Sequence, residues 1–193
     1  MNHDFANPTD TTTAAVRMGI KPDDSARAGG TFTLTCFDKD GNQKWVADKH
    51  NLVVNVGLKD MNDKYFSGSA YTATWYLGLY GAAASNNPAA GDTSASHAGW
   101  TEIVDYSQST RPQAVFAAAT TADPSVSSNS ASPATFSING TTTIGGAFLI
   151  SDSTKGGTTG ILFSAGDFGA PGDRSCVSGD TIVATYTFSL GAI

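Results

Sequence analysis

Charge is scarce in this chain. Charged residues make up 15% of its 193 positions, well below the about 25% usual for soluble domains. Its eleven lysines and arginines are scattered from Arg17 to Arg174, and the formal net charge is -6. A nucleic-acid partner is therefore not expected, because phosphate backbones are held by clustered basic side chains. No window approaches the run of about 20 apolar residues that a membrane-spanning helix needs, so no membrane is expected as a partner either. The N-terminal stretch MNHDFANPTDTTTAAVRMGIKPDDSARAGG lacks a basic segment followed by an apolar one, which predicts a chain made and left in a cytoplasm.

Cysteine and histidine are equally sparse. Two cysteines, Cys36 and Cys176, cannot form a disulfide framework. Cys36 falls on the Phe32/Leu34/Cys36 face of an expected strand, where it reads as a small buried thiol; a bridge between first and last strands is the alternative. His3, His50 and His97 show no metal-ligand spacing among themselves or with the cysteines. DFG at Asp167-Phe168-Gly169 has none of the kinase motifs that would give it meaning, and reads as a turn. Asp23 and Asp24 lie where nothing would raise a carboxyl pKa for acid catalysis. Asn139-Gly140-Thr141 is a formal glycosylation sequon without the leader that would make it relevant. These absences point to a non-enzymatic protein without cofactor or metal.

What the chain does contain is hydroxyl, small and β-forming residues in short alternating runs. FDKDGNQKW (Phe37 to Trp45) resembles a calcium loop at first sight. However, its glycine falls at the fourth position counted from Asp38 and a lysine, Lys49, at the twelfth, where an EF-hand needs glycine sixth and glutamate twelfth. Asp40-Gly41 instead suits the tip of a hairpin between Thr31–Phe37 and Gln43–Ala47. Asp167 and Asp173, among glycines, read as turn aspartates, with a weak calcium site as the alternative.

Further strands are expected at His50–Val54, Thr72–Gly81, Glu102–Tyr106, Gln113–Ala118, Ala134–Ile138, Thr142–Ile150, Gly160–Phe163 and Thr181–Leu190, with Asn139-Gly140 as a second hairpin signal. The aromatic run Thr72–Gly81 alternates apolar residues on both faces and predicts a central strand; of Trp75, Tyr76, Tyr80 and Trp100, which could stack on sugars, the three in this strand are accounted for by core packing without a ligand. One helix is predicted over Asn55–Phe66, where Val54, Leu58, Met61 and Tyr65 recur at helical spacing and would face the core. Ala82 to Trp100 is a loop of a length that is usually functional or mobile. The fold class that follows is mainly β, an antiparallel β-sandwich, immunoglobulin-like or jelly-roll-like, over residues 31–193.

Residues 1–30 form an N-terminal arm or linker, containing Pro8 and Pro22 and ending in Ala28-Gly29-Gly30. Within it Phe5, Val16, Met18 and Ile20 are candidate partner-binding residues, since an extended chain puts Val16, Met18 and Ile20 on one side.

Four runs carry a resemblance: NLVVNVGLKDMNDKYFSGSAYTATWYLGLYG (Asn51 to Gly81), GWTEIVDYSQSTRP (Gly99 to Pro112), TIGGAFLI (Thr143 to Ile150) and SGDTIVATYTFSL (Ser178 to Leu190). Together they resemble small virion structural proteins of tailed bacteriophages, most like head decoration, or cement, proteins. The resemblance covers about 50 to 190, leaves the arm outside, and carries over no functional residue. It implies a capsid-surface location in the virion after synthesis in the host bacterial cytoplasm, the major capsid protein as partner, and a homo-oligomer, trimer or dimer. A tail or fibre component that binds a host receptor or glycan is the competing implication.

Overall fold

The computed structural model describes residues 26–71, 74–82, 88–169 and 172–192. The chain runs through β1 (Ala26–Phe37), β2 (Gln43–His50), β3 (Leu52–Val53), α1 (Asn55–Phe66), β4 (Trp75–Ala82), β5 (Trp100–Ile103) and β6 (Gln113–Ala114). It continues through β7 (Ser125–Ser128), β8 (Ala134–Ser137), β9 (Thr142–Ile144), β10 (Gly146–Ile150), β11 (Leu162–Asp167), β12 (Arg174–Cys176) and β13 (Thr181–Ala192). Two sheets and a ribbon result. The first sheet has the order β2-β1-β13-β7, with β8 also on β13; the second has the order β3-β11-β10-β4-β5, with β6 also on β4; β9 and β12 pair by themselves. The fold is thus mainly β, an antiparallel sandwich with one helix.

Alternation explains the first sheet. Phe32, Leu34 and Cys36 of β1 and Ile182, Ala184 and Tyr186 of β13 are all buried, while the threonines between them are half-exposed. Side chains of a strand point to opposite faces in turn, so one face of this sheet is apolar and the other hydroxylated. β1 and β13 pair without interruption from Ala26↔Ala192 to Phe37↔Thr181. Residues 26–30, expected in the arm, therefore belong to the first strand. Their glycines obscure the signal because they show no side-chain alternation.

The second sheet is covered on both faces. Leu77, Leu79, Ala147, Leu149 and Phe163 meet the first sheet in the main core. Tyr80, Phe148, Ile150, Leu162 and Trp100 form a second cluster on the opposite face. β4 is central as expected, flanked by β10 on one side and by β5 and β6 on the other. Phe148 lies directly opposite Gly78, and a Cβ at Gly78 would run into its ring; the glycine makes room for the aromatic layer.

Several expectations need correction. His50–Val54 is not one strand: β2 ends at His50 in the first sheet and β3 starts at Leu52 in the second. Asn51 marks the crossing, its Nδ2 donating to the Tyr186 hydroxyl at 2.7 Å. Ser164 Oγ of the second sheet donates to the same hydroxyl at 3.2 Å, so one tyrosine ties the layers together. Thr142–Ile150 divides at Gly145 into β9 of the ribbon and β10 of the second sheet. Asn139-Gly140 closes no hairpin, because β8 pairs with β13 and β9 with β12. The strand expected at Gly160–Phe163 starts at Leu162 and reaches Asp167. β7 and β12 lack apolar alternation and are not evident in the sequence.

The helix is where expected but turned differently. Its buried residues are Gly57 and Asp60, whereas Leu58 is 40% and Tyr65 84% exposed; only Met61 of the expected core trio packs against the core. A Cβ at Gly57 would collide with the carbonyl of Phe163 on β11. Close backbone approach at glycine, and an Asp60–Lys64 ion pair on the partly buried side, have replaced an apolar stripe as the docking device.

Candidate interaction surface

The hairpin tip is closed by the Asp38 carboxylate. Asp38 Oδ1 accepts from the backbone N–H of Asp40 at 2.9 Å and of Asn42 at 2.8 Å, and Asn42 Nδ2 donates to Asp38 Oδ2 at 3.0 Å. Those bonds, the Asn42 amide first, hold the Asp38 carboxyl below the usual carboxylate range. Gly41 takes φ 85°, the left-handed conformation the turn requires. At the DFG turn, Asp167 Oδ2 accepts from Gly169 N–H at 3.2 Å, and Phe168 is buried in the main core. Both stretches are turns.

Residues 88–103 and 151–160 build a polar layer over the second cluster. Trp100 Nε1 donates to Asp92 Oδ2 at 2.9 Å, and His97 stacks on Trp100 with ring centroids 3.8 Å apart. Ser94 Oγ donates to the carbonyl of Thr159 at 2.7 Å. Below them, Arg111 is 2% exposed, yet each of its three guanidinium nitrogens is bonded. Nε and Nη2 reach the two oxygens of Glu102 at 2.9 and 2.6 Å, while Nη1 and Nη2 donate to the carbonyls of Asp152 and Gly157. Burying a guanidinium is tolerable only with such pairing. A cavity of about 190 Å³ lies among Ser94, His97, Trp100, Glu102 and Arg111, smaller than the roughly 300–1,000 Å³ of ordinary small-molecule sites. Residues 88–100 of the long loop are thus fastened to the core by contacts that sequence periodicity does not register.

The most exposed of the large apolar side chains lie elsewhere. Tyr65, Phe66 and Tyr71 are 84%, 79% and 78% exposed. Tyr65 and Phe66 pack edge-to-face at 4.9 Å, on each other rather than on the core. They end α1, and Tyr71 follows after the turn at Gly68, which has φ 71°. Contiguous exposed apolar patches mark contact surfaces, whereas scattered single residues do not, and Tyr65 with Phe66 forms such a contiguous pair. The sequence signal was present in the run KYFSGSAY (Lys64 to Tyr71), where adjacent aromatics cannot share one helix face. Phe5, Val16, Met18 and Ile20, the residues singled out in the arm, lie outside the described residues.

Among the described residues one group of potential metal ligands converges: Cys36, Cys176 and Asp180, all buried, with ligand atoms within 4.8 Å of one another. The two sulfurs are 3.8 Å apart. Asp180 is already engaged, since its Oδ2 accepts from Lys44 Nζ at 2.5 Å and from Val177 N–H at 2.9 Å. The bond Lys44 donates to Asp180 raises the Lys44 pKa, and burial raises that of both thiols. Cys176 sits in β12, not in the last strand.

No helix among the described residues is long and apolar enough to cross a membrane. Comparison with protein-family profiles, with curated proteins and with solved structures yields no match for this chain.

Proposed function

We propose that this chain is a non-enzymatic structural protein of a tailed bacteriophage virion, a decoration protein that binds the outside of the assembled head and stabilises the shell. The observation that carries the reading is the exposed aromatic group Tyr65, Phe66 and Tyr71 on a tightly packed sandwich, taken with the resemblance over about 50 to 190. Aromatic side chains are enriched at the centres of protein interfaces because they bury much area at low entropic cost. A ligand that binds the assembled shell and not its free subunits stabilises the shell by mass action, and repetition over symmetric sites multiplies the effect. The partner in this reading is the major capsid protein, and the decorating unit is a trimer or dimer of this chain.

The cavity beside Trp100, His97 and Glu102 supports a second reading, a tail or fibre component that binds a host receptor or glycan. One experiment separates the two. Purified protein is incubated with empty heads and with host cells, and its copy number in virions is measured by mass spectrometry. A decoration protein co-sediments with heads and is present in hundreds of copies or in another capsid-symmetry multiple. Binding to cells alone, at tail-like copy number, overturns the proposal.

A further inference from the structure

Cys36 and Cys176 come from distant parts of the chain, 140 positions apart, and bring their sulfurs to 3.8 Å. Both are free and fully buried. They belong to different substructures: Cys36 ends the apolar row of β1 in the first sheet, and Cys176 ends β12, whose sole strand partner among the described residues is the three-residue β9. Among the described residues, side-chain hydrogen bonds link this ribbon to the first sheet at two places. Trp45 Nε1 of β2 donates to the carbonyl of Ser175 at 3.2 Å, and Asp180 Oδ2 receives Val177 N–H while Lys44 covers it from outside.

We propose that Cys36 and Cys176 are a latent covalent staple, a disulfide site that locks the β9–β12 ribbon onto the first sheet once the protein meets a small-molecule disulfide such as oxidised glutathione. The chemistry balances by two exchanges. One cysteine, as thiolate, attacks the glutathione disulfide, forming a mixed disulfide and releasing one glutathione thiolate that takes up the proton. The second cysteine, also deprotonated, attacks the protein sulfur of that mixed disulfide, forming the Cys36–Cys176 bond and releasing the second glutathione. Two protein thiols are oxidised and one glutathione disulfide is reduced to two thiols. In the closed structure burial holds both thiols protonated and leaves no room for glutathione. Exchange therefore proceeds through local opening of β12, a short element of the kind that opens without global unfolding. Closing 3.8 Å to a bond requires the sulfurs to approach by about 1.8 Å. Once formed, the bond lies in the core and out of reach of reductant.

The test is oxidation of the folded full-length chain with oxidised glutathione, followed by intact-mass measurement with and without alkylation in denaturant. The expected result is a monomer lighter by about 2 Da in which neither cysteine alkylates, with a thermal midpoint raised on the order of 10 °C over the reduced chain. Cys36→Ala and Cys176→Val, made separately so that one folded variant suffices, should show neither change. The proposal is overturned by retention of both free thiols after prolonged native oxidation. A persistent single glutathione adduct, or a disulfide-linked dimer, overturns it equally. So does stoichiometric zinc uptake by the reduced chain that blocks oxidation, which would make the same sulfurs metal ligands.

Discussion

Arg111 and Glu102 form a two-pronged ion pair, Nε to Oε1 at 2.9 Å and Nη2 to Oε2 at 2.6 Å, with side chains 2% and 9% exposed. Glu102 Oε2 also accepts from the backbone N–H of Gly156 at 2.9 Å, so the pair fastens the 151–160 segment to β5. Removing one partner leaves a buried charge uncompensated. Glu102→Gln should destabilise the fold by about 3–5 kcal/mol, and the double variant Glu102→Gln/Arg111→Met should recover part of that loss. Urea denaturation of both variants checks it, and a cost below 1 kcal/mol for the single change would mean that Arg111 finds other compensation.

Gly57 and Leu58 offer a direct test of how α1 is seated. Gly57→Ala should cost about 1–3 kcal/mol, because the added methyl meets the Phe163 carbonyl and must displace backbone. Leu58→Ala should cost less than about 1 kcal/mol, since the side chain is 40% exposed. The reverse ranking in denaturation midpoints would place Leu58 in the core after all.

Asp152 makes acid stability pH-dependent in a specific window. The Thr159 hydroxyl first, then Thr154 N–H and the nearby Arg111 charge, hold its carboxyl below the usual range. A folded-state pKa below the unfolded one stabilises above the unfolded value, about 3.9, and the contribution disappears as pH falls through the folded value. Asp152→Asn should flatten the decline in urea midpoint below about pH 4 relative to the parent chain. Parallel declines in the two proteins would assign the acid sensitivity to other carboxylates.

Tyr65 and Phe66 should matter for binding and not for folding. Tyr65→Ser/Phe66→Ser is expected to stay within about 0.5 kcal/mol of the parent in stability, as surface changes do. It should weaken co-sedimentation with empty heads at least about tenfold if the pair anchors the interface. A variant that melts several degrees lower, or that binds heads undiminished, would remove these residues from the contact surface.

Residues 1–25 supply a second binding test. Because β1 starts at Ala26, deletion of 1–25 leaves the β1–β13 ladder intact and should leave the thermal midpoint of the domain unchanged. Loss of Phe5, Val16, Met18 and Ile20 should at the same time weaken oligomerisation or head binding, as strand or groove addition by an arm would. Equal assembly by the truncated chain would exclude the arm from that role.

Local chemistry sufficed wherever a feature depends on neighbours in sequence. The alternation of Phe32, Leu34 and Cys36 gave β1 its buried face, Asp38 to Asn42 gave the hairpin tip, and the helical spacing after Val54 gave α1 its position. The central place of β4 was legible for the same reason, since apolar residues on both sides of a strand require cover on both faces. Tertiary structure decided what depends on distant partners. Periodicity marked Leu58 and Tyr65 as apolar but could not reveal that Phe163 would approach Gly57 and turn those side chains outward. Nor does any spacing bring Cys36 to Cys176, or place Glu102, Arg111 and Gly157 around one buried charge. Those meetings are fixed by which strands share a sheet and how the two sheets stack. That choice is made by the burial free energy of the whole core, whose contacts link residues far apart in the chain, and no local pattern encodes it.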